Sequence, residues 1–294
     1  MSQSLDIRMK RKERVMRKLI INADDLGISS EVNKQIENCV RHGVVTSSSI
    51  LANAPAFEEG VIVAKKNARL SVGVHLNLIE FTPLTNIEVF KNHGIVSEDG
   101  NFIDGAIFVA PIDDELKEAI FQEWDAQITK VEQAGINPTH CDSHEHTHTI
   151  TVLREVLCRV MNKHHITKVR RKGVPSIRIM LKERKRPSVV LDKSKAVQPP
   201  KHNVLYRRLH LFAVKWDCYC WNRSMSKRYV TTDCFYAFRN FYEYRNIINL
   251  GGNNAVIELM CHPGHKSYQS ETDNMMKDAS WMGNHYKLIS YWDL

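Results

Sequence analysis

Hydrophobic runs alternate with stretches of helical spacing over the first part of the chain. A short apolar run at residues 19–23 and strand-like stretches at residues 44–51 and 70–78 predict strands. Between these runs, apolar residues recur every three or four positions at residues 30–41 and 56–67, which predicts amphipathic helices. A β-α-β-α-β order is typical of parallel strands joined by crossover helices. The pattern therefore predicts an α/β fold.

The remainder of the chain is less regular. Residues 80–112 have little periodicity and several glycines, which predicts a long loop. Residues 187–230 are interrupted by prolines and indicate an irregular insert, within which residues 206–227 fit either a helix or a packing segment. The same criteria predict three further helices, at residues 115–133, 151–164 and 235–246. They also predict two further strands, at residues 166–169 and 255–262.

Composition adds limits to this picture. The chain has 294 residues, of which 43% are hydrophobic and 25% charged, so it is long enough for one sheet-and-helix barrel. Residues 1–17 are polar and basic and predict a disordered tail, with the folded domain at residues 18–294. No run is apolar enough for a membrane span or a signal peptide, and the seven cysteines form no CxxC pair. We therefore expect a cytoplasmic protein.

The net charge of +8 comes from two local runs of lysine and arginine, at residues 8–18 and 168–186. Outside these runs the chain is mildly acidic. Neither run interleaves aromatic side chains with its cations, as single-strand nucleic-acid grooves do. We interpret both runs as solvated faces or tails and expect no nucleic-acid partner.

Polar residues with metal-binding or proton-transfer chemistry follow four separate strand-like runs. They are Asp24 and Asp25, His75, Asp142 with His144, and His262, and the third group lies in a histidine-rich stretch at residues 139–148. Any one of them fits a polar residue that merely ends a strand, and the stretch alone fits a solvated loop. The carboxyl ends of parallel strands, however, meet at one edge of a fold. The four together therefore predict one site that binds a divalent metal ion.

Two histidines and one carboxylate leave positions open on a metal ion for substrate and water. We predict that Asp25, His75 and His144 are the metal ligands. The neighbouring Asp24 is then free to act as the catalytic base, and His262 faces it as the acid.

Other polar residues are expected to support this site. Asn53 and Asn77 fit substrate hydrogen bonds and backbone hydrogen bonds equally well. Asp142, His146 and His148 are predicted to lie behind the ligands, where such groups orient metal-binding imidazoles, or to pack the loop.

Five blocks of sequence, at residues 19–27, 43–47, 72–77, 138–148 and 258–264, together resemble the YdjC-like carbohydrate deacetylases, in the family's order. The resemblance implies a distorted (β/α) TIM-like barrel in a single domain with an irregular insert. It also implies one divalent metal ion, Mg²⁺ or alternatively Zn²⁺, at Asp25, His75 and His144. The implied reaction is hydrolysis of the N-acetyl group of an amino sugar or glycan, with Asp24 in the place of the base.

Two other functions fit the same residues. A different metallohydrolase, of the amidohydrolase or phosphoesterase type, would also use clustered histidines, normally with a second metal ion or a carboxylated lysine. A noncatalytic glycan-binding protein that keeps the fold is the third, although the intact carboxylate pair and histidines argue against it. The segment at residues 233–237 lacks a glycine that the family often carries, and the sequence leaves the sugar and the oligomeric state, including a homo-oligomer, open.

Overall fold

A computed structural model describes residues 16–85, 87–174 and 204–294. The expected tail at residues 1–17 lies almost entirely outside these ranges, as does the first part of the expected insert. Arg17 already contacts the folded domain, because its Nε donates a hydrogen bond to the carbonyl of Gly252 at 3.2 Å. None of the described helices has both the length and the apolar character that crossing a bilayer requires.

One sheet of parallel pairs forms the centre of the described chain. Its strand order is β4-β3-β2-β1-β6-β5, and β7 pairs with the first two residues of β1. The strands are β1 (Lys18–Leu26), β2 (Ser47–Ile50), β3 (Ser71–Leu76), β4 (Cys141–Ser143), β5 (Cys234–Ala237), β6 (Val256–Cys261) and β7 (Lys287–Leu288). The sheet curves into a half-barrel surrounded by helices, which confirms the predicted distorted (β/α) barrel.

Helices connect most of the strands. They are α1 (Ser30–Arg41), α2 (Phe57–Lys66), α3 (Ile87–Asn92), α4 (Asp114–Gln133), α5 (Arg154–Lys163), α6 (Val204–Met225), α7 (Phe238–Tyr244) and α8 (Gln269–His285). The predicted helices α1 and α4 have polar N-caps: the side chains of Ser29 and Asp113 accept hydrogen bonds from the backbone N–H groups of Val32 and Leu116. Short 3₁₀ turns lie at Ala106–Phe108, Thr151–Leu153, Lys266–Tyr268 and Tyr291–Asp293. A further turn at His144–Thr149 is interrupted by residues with non-helical backbone.

The central strand β1 is buried along its length after Lys18. Because a central parallel strand pairs on both edges and is covered on both faces, its sequence is a nearly continuous apolar run. Its hydrophobic part fills the core with Leu19, Ile20 and Ile21, all 0% exposed. Its carboxyl end carries Asp24 and Asp25, which are therefore held by a rigid element.

Three expectations differ from the structure, and two elements were not predicted. The predicted helix at residues 235–246 begins with the strand β5, which pairs with β6 at the sheet edge. The predicted loop at residues 80–112 contains α3 and a 3₁₀ turn. The sequence reasoning missed α8 and β7. The basic run at residues 168–186 is not wholly a solvated face, because Arg170 is 0% exposed.

Candidate active site

The register of the sheet places the carboxyl ends of the predicted strands at the same edge. Ala23 on β1 lies opposite Ser48 on β2 and Cys261 on β6, so the next residues, Asp24 and His262, project at the same edge. On the other side of β2, His75 on β3 lies opposite Asp142 on β4. Residues far apart in the sequence therefore meet because neighbouring parallel strands end together.

Asp25, His75 and His144 lie together and offer one carboxylate oxygen and two imidazole nitrogens within 4.8 Å of one another. His75 Nε2 is 3.4 Å from Asp25 Oδ1, and His144 Nδ1 is 2.9 Å from the same oxygen. Asp25 and His75 are buried, whereas the His144 side chain is 15% exposed. This is the ligand type and openness that a catalytic divalent ion requires.

The charges of this cluster also fit a cation. Burial acts to raise the pKa of Asp25, but hydrogen bonds with His144 and His75 outweigh it and hold the pKa well below its usual range. Burial acts to lower the pKa of His75, but the surrounding carboxylates, Asp142 first, raise it to about 10. The carboxylates around His75 therefore favour positive charge in this cluster.

Asp142 lies behind His75 on the neighbouring strand. Its Oδ1 is 2.7 Å from His75 Nδ1, so the hydrogen bond fixes the imidazole with Nε2 toward Asp25. Burial acts to raise the pKa of Asp142, but the charges of Arg170 and His75 lower it well below its usual range. Asp142 thus lies behind His75, where a carboxylate can orient the imidazole, and its supporting role stays a prediction.

A second group of residues, Asp24, His75 and Asp142, also has ligand atoms within 4.8 Å of one another. Both of its carboxylates already contact the guanidinium of Arg170, at 2.6 Å for Asp24 and 2.8 Å for Asp142. Because that positive group satisfies them, the described residues offer ligands for one metal ion rather than for the two that many metallohydrolases use.

Left-handed backbone conformations occur at this site in residues other than glycine. Asp25 has φ 66°, and the consecutive residues Glu145 and His146 have φ 48° and 60°. Such conformations cost free energy for residues with a Cβ and persist where the surrounding structure imposes them. Here they occur at the metal-ligand candidate Asp25 itself and in the two residues that follow His144.

Arg170 is the residue of this site that the sequence reasoning missed. Its guanidinium is 0% exposed and contacts Asp24, Asp142 and Glu258. It follows the short strand-like run at residues 166–169, so its position matches that of the other site residues. Because Arg170 belongs to a basic run, its position directly after a strand-like run was not recognised as that of a site residue.

His262 follows β6 and is held by α8. Its backbone N–H donates to Glu271 Oε2 at 2.8 Å, its Nδ1 is 3.6 Å from the same oxygen, and its ring stacks on Tyr268. Burial acts to lower the pKa of His262, but Glu271 and the charges of Asp25 and Asp24 raise it above the usual value. A raised pKa favours the protonated imidazole, which is the form that can act as an acid.

The structure places Asn53 in the loop after β2 and Asn77 directly after β3. The Asn77 side chain accepts hydrogen bonds from two backbone N–H groups of the loop and donates to Asn53 Oδ1 and to the carbonyl of Glu80. Asn53 donates to the carbonyls of Glu80 and Thr82. Both side chains thus hold the loop after β3, and substrate contact by either of them stays a prediction.

His146 and His148 lie in the turn that follows His144. His148 is buried, and its ring contacts Ser143 Oγ at 2.6 Å and the carbonyl of Arg170 at 3.3 Å. His146 meets the rings of His148 and Phe235 edge-on, and burial lowers its pKa to about 4. These contacts pack the turn; among the described hydrogen bonds, none joins either ring to a metal-ligand candidate.

The arrangement therefore combines three capabilities at one sheet edge. Asp25, His75 and His144 can bind a cation, the carboxylate of Asp24 lies 3.9 Å from His75 Nε2 and can accept a proton, and His262 can donate one. A base, a Lewis-acid site and an acid are the components of hydrolysis at a carbonyl carbon.

Comparison with known proteins gives a consistent result. The family model described as YdjC-like protein matches residues 18–288. A carbohydrate deacetylase of Clostridium beijerinckii is 37% identical over 152 residues, which are 51% of this chain and 58% of that protein. A carbohydrate deacetylase of Halalkalibacterium halodurans is 34% identical over 150 residues, 51% of this chain and 62% of that protein. The chain thus aligns with less than two thirds of the length of these relatives.

A solved structure shares the fold over nearly the whole chain. It is that of a protein described as a candidate cellobiose-phosphate cleavage protein from Enterococcus faecalis V583. The TM-score is 0.64 with 22% sequence identity, over 95% of this chain and 98% of that one. At this identity the likeness concerns the fold alone.

Proposed function

The chain belongs to the YdjC-like family, whose model matches residues 18–288, and on this premise we propose that it is a metal-dependent carbohydrate deacetylase. The proposed reaction is hydrolysis of the N-acetyl group of an amino sugar or glycan, carried out by residues 18–294. The observation that carries the proposal is the cluster of Asp25, His75 and His144 beside the carboxylate of Asp24. The names of the aligned relatives, carbohydrate deacetylases, support the same reaction.

Asp25, His75 and His144 would hold the metal ion. A bound divalent ion supplies a Lewis acid that polarises the acetyl carbonyl and makes water more acidic. Two imidazole nitrogens with one carboxylate suit Zn²⁺ better than Mg²⁺, which prefers oxygen ligands. Of the two ions expected from the sequence, the donor set therefore favours Zn²⁺.

Asp24 and His262 would carry the two proton transfers. Asp24 accepts a proton from the water that attacks the acetyl carbon, which gives a tetrahedral adduct. The amine is a poor leaving group until its nitrogen is protonated, and His262 donates that proton as the C–N bond breaks. Acetate and the free amino sugar are the products. The raised pKa of His262 supports its role as the donor.

Acetate release tests this proposal. Purified protein loaded with Zn²⁺ or Mg²⁺ is incubated with chitobiose and a panel of N-acetylhexosaminyl glycans, as wild type, Asp24→Asn and His144→Ala. We expect Asp24→Asn to keep its metal ion and to lose about 10²- to 10⁴-fold in rate, as for a removed general base. We expect His144→Ala to lose metal affinity as well as activity, measured as metal content per chain.

The matched control is His42→Ala, because His42 is exposed and its ring contacts the carbonyl of Asn38, on α1 away from the sheet edge. This variant should keep wild-type activity and metal content. The proposal fails if metal-loaded wild type releases no acetate from any substrate of the panel, or if Asp24→Asn and His144→Ala remain fully active. A content of two metal ions per chain would favour the other metallohydrolases.

A further inference from the structure

The buried side chain of Arg170 contacts the proposed base directly. We propose that Arg170 is a positioning residue that fixes the carboxylate of Asp24 with one chosen oxygen, Oδ2, toward the metal-ligand cluster. The inference rests on the proposed function, because it assigns Arg170 a part in the same reaction. It adds a residue, and a network behind that residue, to the site.

The contacts between Arg170 and Asp24 form a two-pronged fork. Nη1 donates to Oδ2 and Nη2 donates to Oδ1, both at 2.6 Å. Charge-assisted pairs of this kind fix direction as well as distance, because the two parallel bonds set the plane of the carboxylate. Asp24 is therefore held against rotation about its side-chain bonds.

The two oxygens of Asp24 are not equivalent. Oδ1 also accepts a hydrogen bond from Asn22 Nδ2 at 2.8 Å, so two donors already contact it. Oδ2 accepts one described hydrogen bond, from Arg170, and lies 3.9 Å from His75 Nε2. Since a carboxylate oxygen has two lone pairs, Oδ2 keeps one for a proton on the side of the metal-ligand candidates. We assign Oδ2 as the proton-accepting atom.

Arg170 is itself held on two further sides. Its Nε donates to Glu258 Oε1 at 2.8 Å, and its Nη2 is 2.8 Å from Asp142 Oδ2. The second oxygen of Glu258 accepts a hydrogen bond from the hydroxyl of Tyr291 at 2.7 Å. The Tyr291 ring stacks on His140 with the ring centres 3.7 Å apart. The guanidinium therefore cannot turn without disturbing this buried network.

A purely structural role for Arg170 is the alternative. A buried arginine among carboxylates also neutralises their charge. That role requires a positive charge but not the two-pronged geometry of the guanidinium. Lysine retains the cation and cannot make the fork, because its ammonium is a single point of charge. Arg170→Lys therefore separates positioning from neutralisation.

The kinetic test compares Arg170→Lys with Arg171→Lys in the acetate-release assay. Arg171 is the matched control, since its Nη1 contacts the carbonyl of Thr232 and it follows Arg170 directly. We expect Arg170→Lys to lower kcat about 100-fold with KM nearly unchanged, which is the cost of a misplaced catalytic group. Arg171→Lys should match wild type. If Arg170→Lys retains wild-type kcat per folded molecule, the positioning role is wrong.

Tyr291→Phe keeps the proposal testable if Arg170→Lys does not fold. This change removes the hydroxyl that holds Glu258 and leaves the ring that stacks on His140. We expect a fall in kcat of about tenfold, in the range found when supporting groups of metal sites are removed. Unchanged kcat in this folded variant would also overturn the positioning role.

A second readout needs neither substrate nor metal ion. The thermal midpoint of the metal-free protein is measured for Arg170→Lys, Asp24→Asn and the double variant. If the fork forms, the decrease in Tm caused by Arg170→Lys is at least about twofold larger in the wild-type background than in the Asp24→Asn background. The reason is that the effects of substitutions at contacting residues are coupled. Additive shifts overturn the fork. Because this cycle does not depend on acetate release, it distinguishes failure of the inference from failure of the proposed function.

Discussion

At the residue scale, Gly73 shows how closely the site is packed from behind. A Cβ at this position on β3 would lie 2.5 and 2.6 Å from Nδ1 and Nε2 of the His140 ring, which is buried and stacked on Tyr291. The ring cannot move aside, so we expect Gly73→Ala to destabilise the fold by about 1–3 kcal/mol, measured by urea unfolding.

Gly283→Ala is the matched control for this prediction. Gly283 lies exposed in α8, and an added Cβ would meet nothing within 4 Å. Alanine there should stabilise the protein by about 0.5–1 kcal/mol through its greater helix propensity. A neutral or stabilising Gly73→Ala would contradict the described packing of His140.

His140 also predicts a dependence of stability on pH. Burial lowers the pKa of His140 to about 3, so the folded chain keeps this ring neutral where the unfolded chain protonates it. Its contribution to stability is therefore complete above about pH 6.5, the pKa of an unperturbed histidine, and is lost as the pH falls toward about 3.

The measurement is the free energy of unfolding between pH 4.5 and 6.5. In wild type it should rise with pH, since the unfolded state binds more protons. His140→Asn keeps a polar group beside Thr139, whose hydroxyl lies 2.9 Å from His140 Nδ1, and should reduce the slope by about one proton. An unchanged slope would show that His140 does not titrate on unfolding.

The residues of the site were predictable from the sequence to different degrees. Asp24, Asp25, His75 and His262 could be grouped because each follows an apolar run, and the parallel sheet places such ends together. Arg170 could not, because a run of cations is typical of a solvated face and only the surrounding carboxylates make its burial favourable. Contacts between residues far apart in the sequence decide whether such a cation is buried. A local sequence pattern does not contain these contacts.

At the element scale, α4 holds the loop that follows β3. Glu123 of α4 is 0% exposed and accepts hydrogen bonds from the backbone N–H groups of Leu84 and Thr85, from the Thr85 hydroxyl, and from Gln127. We expect Glu123→Ala to destabilise the fold by about 2–3 kcal/mol, because buried donors lose their acceptor. Amide hydrogen exchange at Leu84 and Thr85 should accelerate with it.

Glu118→Ala is the matched control on the same helix. Glu118 and its partner Arg159 have side chains 47% and 54% exposed, and such surface pairs contribute at most about 1 kcal/mol. This variant should leave the exchange of the loop amides unchanged. Equal effects of the two substitutions would mean that Glu123 does not anchor the loop.

The elements themselves were predicted best where a periodic pattern was long. The helix α4 was recognisable because its buried residues Leu116, Ile120, Trp124 and Ile128 recur at intervals of four. The strand β5 was assigned to a helix, because four residues at a sheet edge offer too short a pattern and its pairing with β6 is invisible locally. Strand identity there depends on the partner strand rather than on the segment.

At the scale of the whole molecule, the candidate ligands connect three distant parts of the chain. They lie on β1, on β3 and directly after β4, so a bound ion would join elements that separate on unfolding. We expect Zn²⁺ at 100 times its dissociation constant to stabilise the folded state by about 2.7 kcal/mol and to raise Tm. His144→Ala at the same zinc concentration should show a much smaller rise, and an equal rise would place the ion elsewhere.

The left-handed backbone at Asp25, Glu145 and His146 has a consequence for how this protein would respond to selection. Glycine adopts that conformation without the steric cost of a Cβ, whereas other residues bear this cost, Asn and Asp less than most. Laboratory evolution that rewards only yield or heat resistance would therefore favour substitution by glycine and gradually discard the carboxylate of Asp25. A screen for durable variants of this protein must score turnover in the same round, since thermal robustness and activity are opposed at this position.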